Sequence, residues 1–315
     1  MAVRARDLTR RHFGRTVSLY IPLYLSDYCS GGCVYCGFAA DRRQPRHRLE
    51  QDDIVRELDA VKAMGIEEIL LLTGERTVHA DLEYLRAAVH DAAQRFSAVT
   101  IEAFPMETGE YRTLVQAGGV GVTIYQETYE PVQYEQIHRW GPKRDYENRL
   151  ETPARVLEGG MRTVGMGALL GLSDPLFEAL CLYRHAMHLR RRYWQSGVSI
   201  SFPRVCPQEG GYQPPFPVND RTLAQIIFAF RICMPDVPLV LSTREAATFR
   251  DGMAGVGINK MSIASRTTVG GYQTPVESPD GQFHVNDDRD VETFCAMLKG
   301  KGLDPVFKNW DKVYR

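Results

Sequence analysis

Three cysteines fall within eight residues, in the string Cys29-Ser-Gly-Gly-Cys33-Val-Tyr35-Cys36-Gly-Phe38. Three thiolates on one short loop can hold three corners of a cuboidal iron–sulfur cluster, a type of group that usually takes four cysteines. With only three, one iron is left open to a ligand from outside the protein. Two rival chemistries use the same atoms. A structural zinc site wants four closed ligands, and the next candidate is His47, eleven residues beyond Cys36. A redox Cys-x-x-Cys pair has no need of Cys29. The chain has seven cysteines in 315 residues, and an odd count in a chain this long argues against a disulfide framework. Cys181, Cys206, Cys233 and Cys295 read as small buried hydrophobes.

The cysteine loop follows an apolar, β-branched run, Val17–Leu25, and that run is the first of eight. The others are Glu68–Leu72, Val99–Glu102, Val120–Tyr125, Thr163–Leu170, Val198–Phe202, Leu239–Ser242 and Lys260–Ala264. Helical patterns lie between them, at Asp53–Met64, Leu82–Phe96, Thr152–Glu158, Leu176–Arg191 and Asp220–Cys233, with Gly65, Gly118 and Gly159 placed as C-caps. Repeated strand–helix alternation means parallel strands joined by crossover helices. Eight units close a (β/α)8 TIM-type barrel, an α/β fold whose chemistry sits at the C-terminal ends of the strands. The rival, an open doubly wound sheet, loses ground because no GxGxxG turn follows the first strand. Gln273–Asp288 reads as a long polar loop, Asp290–Lys299 as a last helix and Leu303–Trp310 as a short tail. No linker, repeat or low-complexity tract divides the chain.

Composition narrows the class of partner. Lys plus Arg number 38 against 39 Asp plus Glu, a balance that argues against an electrostatic nucleic-acid binder. No apolar run approaches the roughly 20 residues of a membrane span, and the charged start MAVRARDLTRRHF does not read as a secretory signal. A cytoplasmic enzyme is the expectation, with no membrane and no nucleic acid among its partners.

The cysteine spacing, with Tyr35 just before the third thiol, resembles the radical S-adenosylmethionine (SAM) superfamily, and the eight βα units agree with its barrel. The resemblance implies a single barrel domain over 1–315, with a short N-terminal helical extension and a C-terminal helix and tail over about 270–315. It implies a 4Fe-4S cluster on Cys29, Cys33 and Cys36 whose open iron takes the amino and carboxylate groups of SAM. One electron then splits SAM into methionine and a 5′-deoxyadenosyl radical. Around that cofactor the resemblance implies contacts from Tyr35 and Phe38, from Thr73, Gly74 and Glu75 after the second strand, from Glu127 to the ribose hydroxyls, and from Arg149 to the SAM carboxylate. Taken alone, Arg149 reads as a solvated helix N-terminus.

The strings Val17-Ser-Leu-Tyr-Ile-Pro-Leu-Tyr, Tyr125-Gln-Glu-Thr-Tyr, Gly167-Ala-Leu-Leu-Gly-Leu, Ser201-Phe-Pro-Arg204 and Leu241-Ser-Thr-Arg244-Glu resemble the aromatic amino acid lyase branch, and among it the tyrosine lyases that serve thiazole and thiamine biosynthesis. The implied reaction is cleavage of the Cα–Cβ bond of L-tyrosine to 2-iminoacetate (dehydroglycine) and p-cresol. A flavodoxin or ferredoxin would supply the electron, and thiazole synthase would be a further partner. Arg244 would hold the substrate carboxylate, against a plain salt bridge to Glu245. Ser265 and Tyr24 would hold the amine or the phenol, or serve as barrel packing. His138 and Arg139 fall on a loop where solvation competes with a proton relay. Two departures stand out: the helical segment before the barrel is short (Met1–Arg15), and Cys206 replaces a basic residue. Alternatives are a tryptophan lyase, the tyrosine lyase of hydrogenase maturation, and, from another class, a non-catalytic iron–sulfur scaffold. The hydrogenase-maturation enzyme carries a second, C-terminal cluster domain, and here Cys295 stands alone with twenty residues after it.

Overall fold

In the computed structural model, residues 1–273 and 281–309 are described. The elements run α1 (Ala2–Phe13), β1 (Thr16–Tyr24), α2 (Gln51–Ala63), β2 (Glu68–Leu72), α3 (Leu82–Arg95), β3 (Ala98–Glu102), α4 (Thr108–Gln116), β4 (Gly121–Thr123), α5 (Pro131–Ile137), α6 (Tyr146–Glu158), β5 (Thr163–Gly167), α7 (Pro175–Arg192), β6 (Gly197–Ser201), α8 (Asp220–Cys233), β7 (Leu239–Leu241), α9 (Ala247–Met253), β8 (Lys260–Ser262), α10 (Val291–Gly300) and β9 (Asp304–Val306). Every strand pairs in parallel, β1 with β2 through to β7 with β8, and β8 returns to β1 to close the barrel. All eight expected strands are present. The ninth, β9, pairs Asp304–Val306 with Thr16–Ser18 at the start of β1; it replaces part of the expected tail. Trp310 of that tail, and residues 274–280 of the expected long loop, lie outside the described residues.

Side-chain alternation explains why these strands close on a polar interior. Along β3, Val99 and Ile101 face outward into the core between barrel and helices, while Thr100 and Glu102 face inward. Along β1, Leu19, Ile21 and Leu23 face the helices, and Tyr20, Pro22 and Tyr24 line the inside. At the floor of the barrel Lys260 of β8 donates to Glu68 of β2.

Helix starts follow side-chain capping. Asp81, Asp145, Asp174, Asn219 and Asp290 each accept a backbone N–H of the first turn. The cap at Asp145 starts α6 six residues before Thr152, where the sequence pattern placed its beginning, and Pro153 sits inside the helix. The short helices α4, α5 and α9 were not evident in the sequence, since nine, seven and seven residues give too few apolar repeats to set a period. Gly65 and Gly118 take positive φ after α2 and α4, but after α6 that conformation belongs to Gly160 rather than Gly159.

Candidate active site

The cysteine loop leaves β1 at the C-terminal mouth of the barrel. Cys33 is buried, and Cys29 and Cys36 are half-buried; all three are free thiols. Backbone N–H groups already point at the sulfurs: Gly31 and Glu75 donate to Cys29 Sγ at 3.4 and 3.3 Å, and Phe38 donates to Cys36 Sγ at 3.4 Å. Gly31 leaves a cradle between two of them, because a Cβ there would stand 3.6 Å from Cys29 Sγ and 3.7 Å from Cys33 Sγ. Among the described residues no three His, Cys, Asp or Glu side chains converge as ligands of a single metal ion. That geometry suits a polynuclear cluster spread between thiolates, stabilised by N–H donors to sulfur, better than one tetrahedral zinc. Burial pushes the Cys29 thiol up to about 11, with Cys36 and Glu75 adding to the effect, and burial lifts Cys33 further. The thiols must therefore shed protons as they take up metal.

Two tight contacts fix this loop. Gly74 lets the turn after β2 approach it, since a Cβ at Gly74 would fall 2.6 Å from Tyr28 O and 2.7 Å from Cys29 Cβ. Gly32 lies beneath the Trp140 ring, where a Cβ would overlap the ring atoms. The Gly32 N–H donates to Trp140 O at 3.1 Å, and Arg139 donates to Gly32 O at 3.0 Å while its guanidinium stacks on Trp140.

Beside the thiols runs a line of alternating charge. Glu75 accepts from Arg149 Nη1 at 3.1 Å; Arg149 Nη2 lies 3.5 Å from Glu127 Oε1; Lys143 Nζ donates to that same oxygen at 2.6 Å. Arg149 also donates through Nε to Tyr125 O at 2.7 Å. The first three are buried, and Arg149 is only 6% exposed, so it is not the solvated helix N-terminus that its local sequence suggests. Burial and mutual repulsion push the Lys143 ammonium down, but Glu127, Cys33 and Glu75 outweigh them and it stays protonated. Glu127 holds a positive φ of 70°, a conformation costly for a side chain with a Cβ. Glu75 Oε2 is buried without a partner among the described residues. A buried carboxylate oxygen left without a donor suits a ligand ammonium.

Tyr35 and Phe38 come to the loop's inner side, each with a protein partner. Tyr35 shares a 2.7 Å hydrogen bond with His138 Nε2, and Phe38 packs edge-on against Tyr24 at 5.7 Å. Thr73 Oγ1 donates to Gly74 O. His138 is fully buried, at the end of α5, and burial with Lys143 and Arg149 pushes it down to about 2. It is a neutral pin for Tyr35, neither a solvated loop residue nor a relay.

Inside the barrel a cavity open to the mouth is lined by Tyr20, Tyr24, Glu102, Arg244, Ser265 and Gln282, among others. Tyr24 donates to Gln282 Oε1 at 2.7 Å, and Ser265 donates to Ser262 Oγ at 3.4 Å. Arg244 does not pair with Glu245, which is taken by Arg204 at 3.0 Å. Its guanidinium carbon instead lies over the Phe283 ring, 3.4 Å from the centroid. Cys206 is buried beside the Arg244 backbone at 3.7 Å. Cys295 is buried as expected, Cys181 is half-buried, and Cys233 is exposed, because it falls on the outer face of α8.

Sequence reasoning missed Lys143, Gln282, Phe283 and Glu102. Lys143 belongs to a short 3-10 turn, Pro142–Arg144, and the next two come from the segment taken as a polar loop. Glu102 carried a legible signal, as the last inward position of a strand at the catalytic end.

A profile of the Radical SAM superfamily matches residues 23–182, and one described as a Biotin and Thiamin Synthesis associated domain matches residues 201–304. The chain is 42% identical over 312 residues to the 2-iminoacetate synthase of Escherichia coli (strain K12), covering 99% of this chain and 82% of that protein. The X-ray structure of the FeFe-hydrogenase maturase HydG from Carboxydothermus hydrogenoformans superposes with a TM-score of 0.91 at 30% identity, covering all of this chain and 72% of that one.

Proposed function

The chain belongs to the radical SAM superfamily and within it to the family of the 2-iminoacetate synthases, and from that premise we propose that it is a tyrosine lyase. It cleaves the Cα–Cβ bond of L-tyrosine to 2-iminoacetate and p-cresol for thiazole and thiamine biosynthesis. The observation that carries the reading is the juxtaposition of three thiols, a buried Glu75–Arg149–Glu127–Lys143 line and a barrel cavity holding Arg244. When bound, a 4Fe-4S cluster and SAM supply one-electron chemistry, the reductive formation of a 5′-deoxyadenosyl radical that takes hydrogen from the substrate.

The chain's own residues then bind and orient. Cys29, Cys33 and Cys36 hold the cluster. Glu75 receives the SAM ammonium, Arg149 offers a planar fork to its carboxylate, and Glu127 accepts from the ribose hydroxyls. Arg244, set over Phe283, pairs with the tyrosine carboxylate; such a pair is strong in a site that excludes water. Tyr24 and Ser265 set hydroxyls along the cavity wall for the rest of the substrate. Burial raises the Tyr24 phenol well above its usual range, so it stays a neutral donor. A flavodoxin or ferredoxin as reductant and thiazole synthase as recipient, in the cytoplasm, complete the proposal.

The test is anaerobic incubation of reconstituted protein with SAM, reductant and either tyrosine or tryptophan, followed by product analysis. Tyrosine should give p-cresol in step with 5′-deoxyadenosine. Products from tryptophan alone, or no deoxyadenosine at all, would overturn the reading in favour of a tryptophan lyase or a scaffold.

A further inference from the structure

Glu102 ends β3 with its side chain turned into the cavity that Arg244 also lines. Among the residues lining that cavity these two alone are Asp, Glu, Lys, Arg or His; the other polar groups are hydroxyls and the Gln282 amide. Glu102 has no side-chain hydrogen bond and no ion pair among the described residues, whereas the neighbouring acids Glu75 and Glu127 are both paired. The floor acid Glu68 is paired as well. A carboxyl set inside the barrel without a partner is costly to the fold.

An α-amino acid carries one positive and one negative pole on a single carbon, and a pocket for it needs few polar groups, precisely set, to fix orientation. If Arg244 takes the carboxylate, a carboxyl in the same small cavity would repel the substrate unless it met the other pole. The phenol makes no such demand, since neutral groups such as Tyr24 and Gln282 can satisfy it. An ammonium removed from water does need a negative partner. We propose that Glu102 binds the substrate's α-amino group, forming with Arg244 a two-pole site for a zwitterionic amino acid. Burial pushes the Glu102 carboxyl up to about 7, although Arg244 pulls it down; a bound cation would oppose that rise.

This inference rests on the substrate's being an aromatic α-amino acid. The experiment measures equilibrium binding to the anaerobic, cluster-loaded protein with SAM present. Its ligands are L-tyrosine, L-phenylalanine, which lacks the phenol, and 3-(4-hydroxyphenyl)propanoate, which lacks the amine. The wild type should prefer tyrosine over the deaminated acid. Glu102→Gln should bind tyrosine roughly tenfold to a hundredfold more weakly, with the deaminated acid unchanged or tighter and the tyrosine-to-phenylalanine preference intact. Glu102→Asp should retain part of the amine preference, and it carries the test alone if the Gln variant fails to fold. An undiminished amine preference in these variants overturns the proposal. So does loss of the phenol preference in its place, which would put the carboxyl at the other end of the substrate. If the wild type proves to cleave tryptophan, the tyrosine reading fails separately, and the same comparison is made with tryptophan and indole-3-propanoate.

Discussion

Arg149→Ala is the perturbation that reads the charge line most directly. Arg149 and Glu75 are each 6% exposed, and the arginine also caps Tyr125 O. Removing it leaves Glu75 buried with neither oxygen matched to a cation, while Glu127 keeps Lys143. Stripping one partner from a buried pair costs about 3–5 kcal/mol, a large part of a typical stability of about 5–15 kcal/mol. The assay is denaturant unfolding of the cluster-free, reduced protein, which reads the network independently of any cofactor. Arg149→Ala should lose stability on that scale, and Glu75→Gln added to it should restore part, because the uncompensated charge is gone. The reconstituted variant should also bind SAM roughly tenfold to a hundredfold more weakly with its cluster spectrum kept. Wild-type unfolding in Arg149→Ala, or simple additivity of the two substitutions, would refute the argument that the pair is coupled.

Other predictions follow from single contacts. Cys33→Ala should lose the oxygen-sensitive 4Fe-4S cluster and all SAM cleavage; stoichiometric zinc without iron in anaerobically purified wild type would sink the cluster assignment. Gly32→Ala should impair cluster assembly by driving a methyl into Trp140, and Trp140→Ala should restore iron content; no rescue would mean the steric account is wrong. Arg244→Ala should still cleave SAM slowly but form deoxyadenosine without matching p-cresol. Arg244→Lys should recover only part, because an ammonium cannot reproduce the planar fork; an unchanged product ratio in both makes Arg244 structural. Burial raises the Glu178 carboxyl from 4.5 to about 7, so the folded state binds more protons than the unfolded chain across that window. Stability should therefore fall as pH rises from about 4.5 to 7, by on the order of 3 kcal/mol. Glu178→Gln should flatten that part of the profile, and an unaltered slope would remove Glu178 as its cause.

The barrel was legible because its signals are local. A short apolar run such as Glu68–Leu72 needs no partner to be recognised, and the Cys29–Cys36 spacing lies on one loop. Arg149 shows where locality ends: its neighbours Asn148 and Glu151 look like a solvated helix start, and only the fold brings Glu75 within 3.1 Å. Lys143 was hidden for the same reason, as its partner Glu127 becomes adjacent through the turn between α5 and α6. His138 misled in the opposite sense. Its polar surroundings in sequence suggest exposure, yet α5 turns it inward onto Tyr35. Glu245, next to Arg244 in the chain, faces away to Arg204, because the chain turns after β7, with the Glu245 N–H donating to Ser242 O at 3.3 Å.

Charge inside this barrel sorts by depth, and the sorting bears on whether the protein is an enzyme or an iron–sulfur scaffold. At the floor, Lys260 and Glu68 neutralise each other, with Lys260 also lying 5.3 Å from the Tyr20 ring. At the rim, Glu75, Arg149, Glu127 and Lys143 alternate in sign and pair along their length. Between these layers Arg244 and Glu102 share a cavity, and neither has an ion pair among the described residues. A scaffold would need the three thiols and the N–H donors that face them, and the rim charges would be excess. It would have still less use for two ionisable groups that face a cavity without an ion pair, since a polar group set inside the fold without its complement is costly and that cost is recovered only when a complementary ligand enters. The thiols alone are compatible with either class, and it is the middle layer, useless to a scaffold and suited to a zwitterion in the site we propose, that favours catalysis on an amino acid.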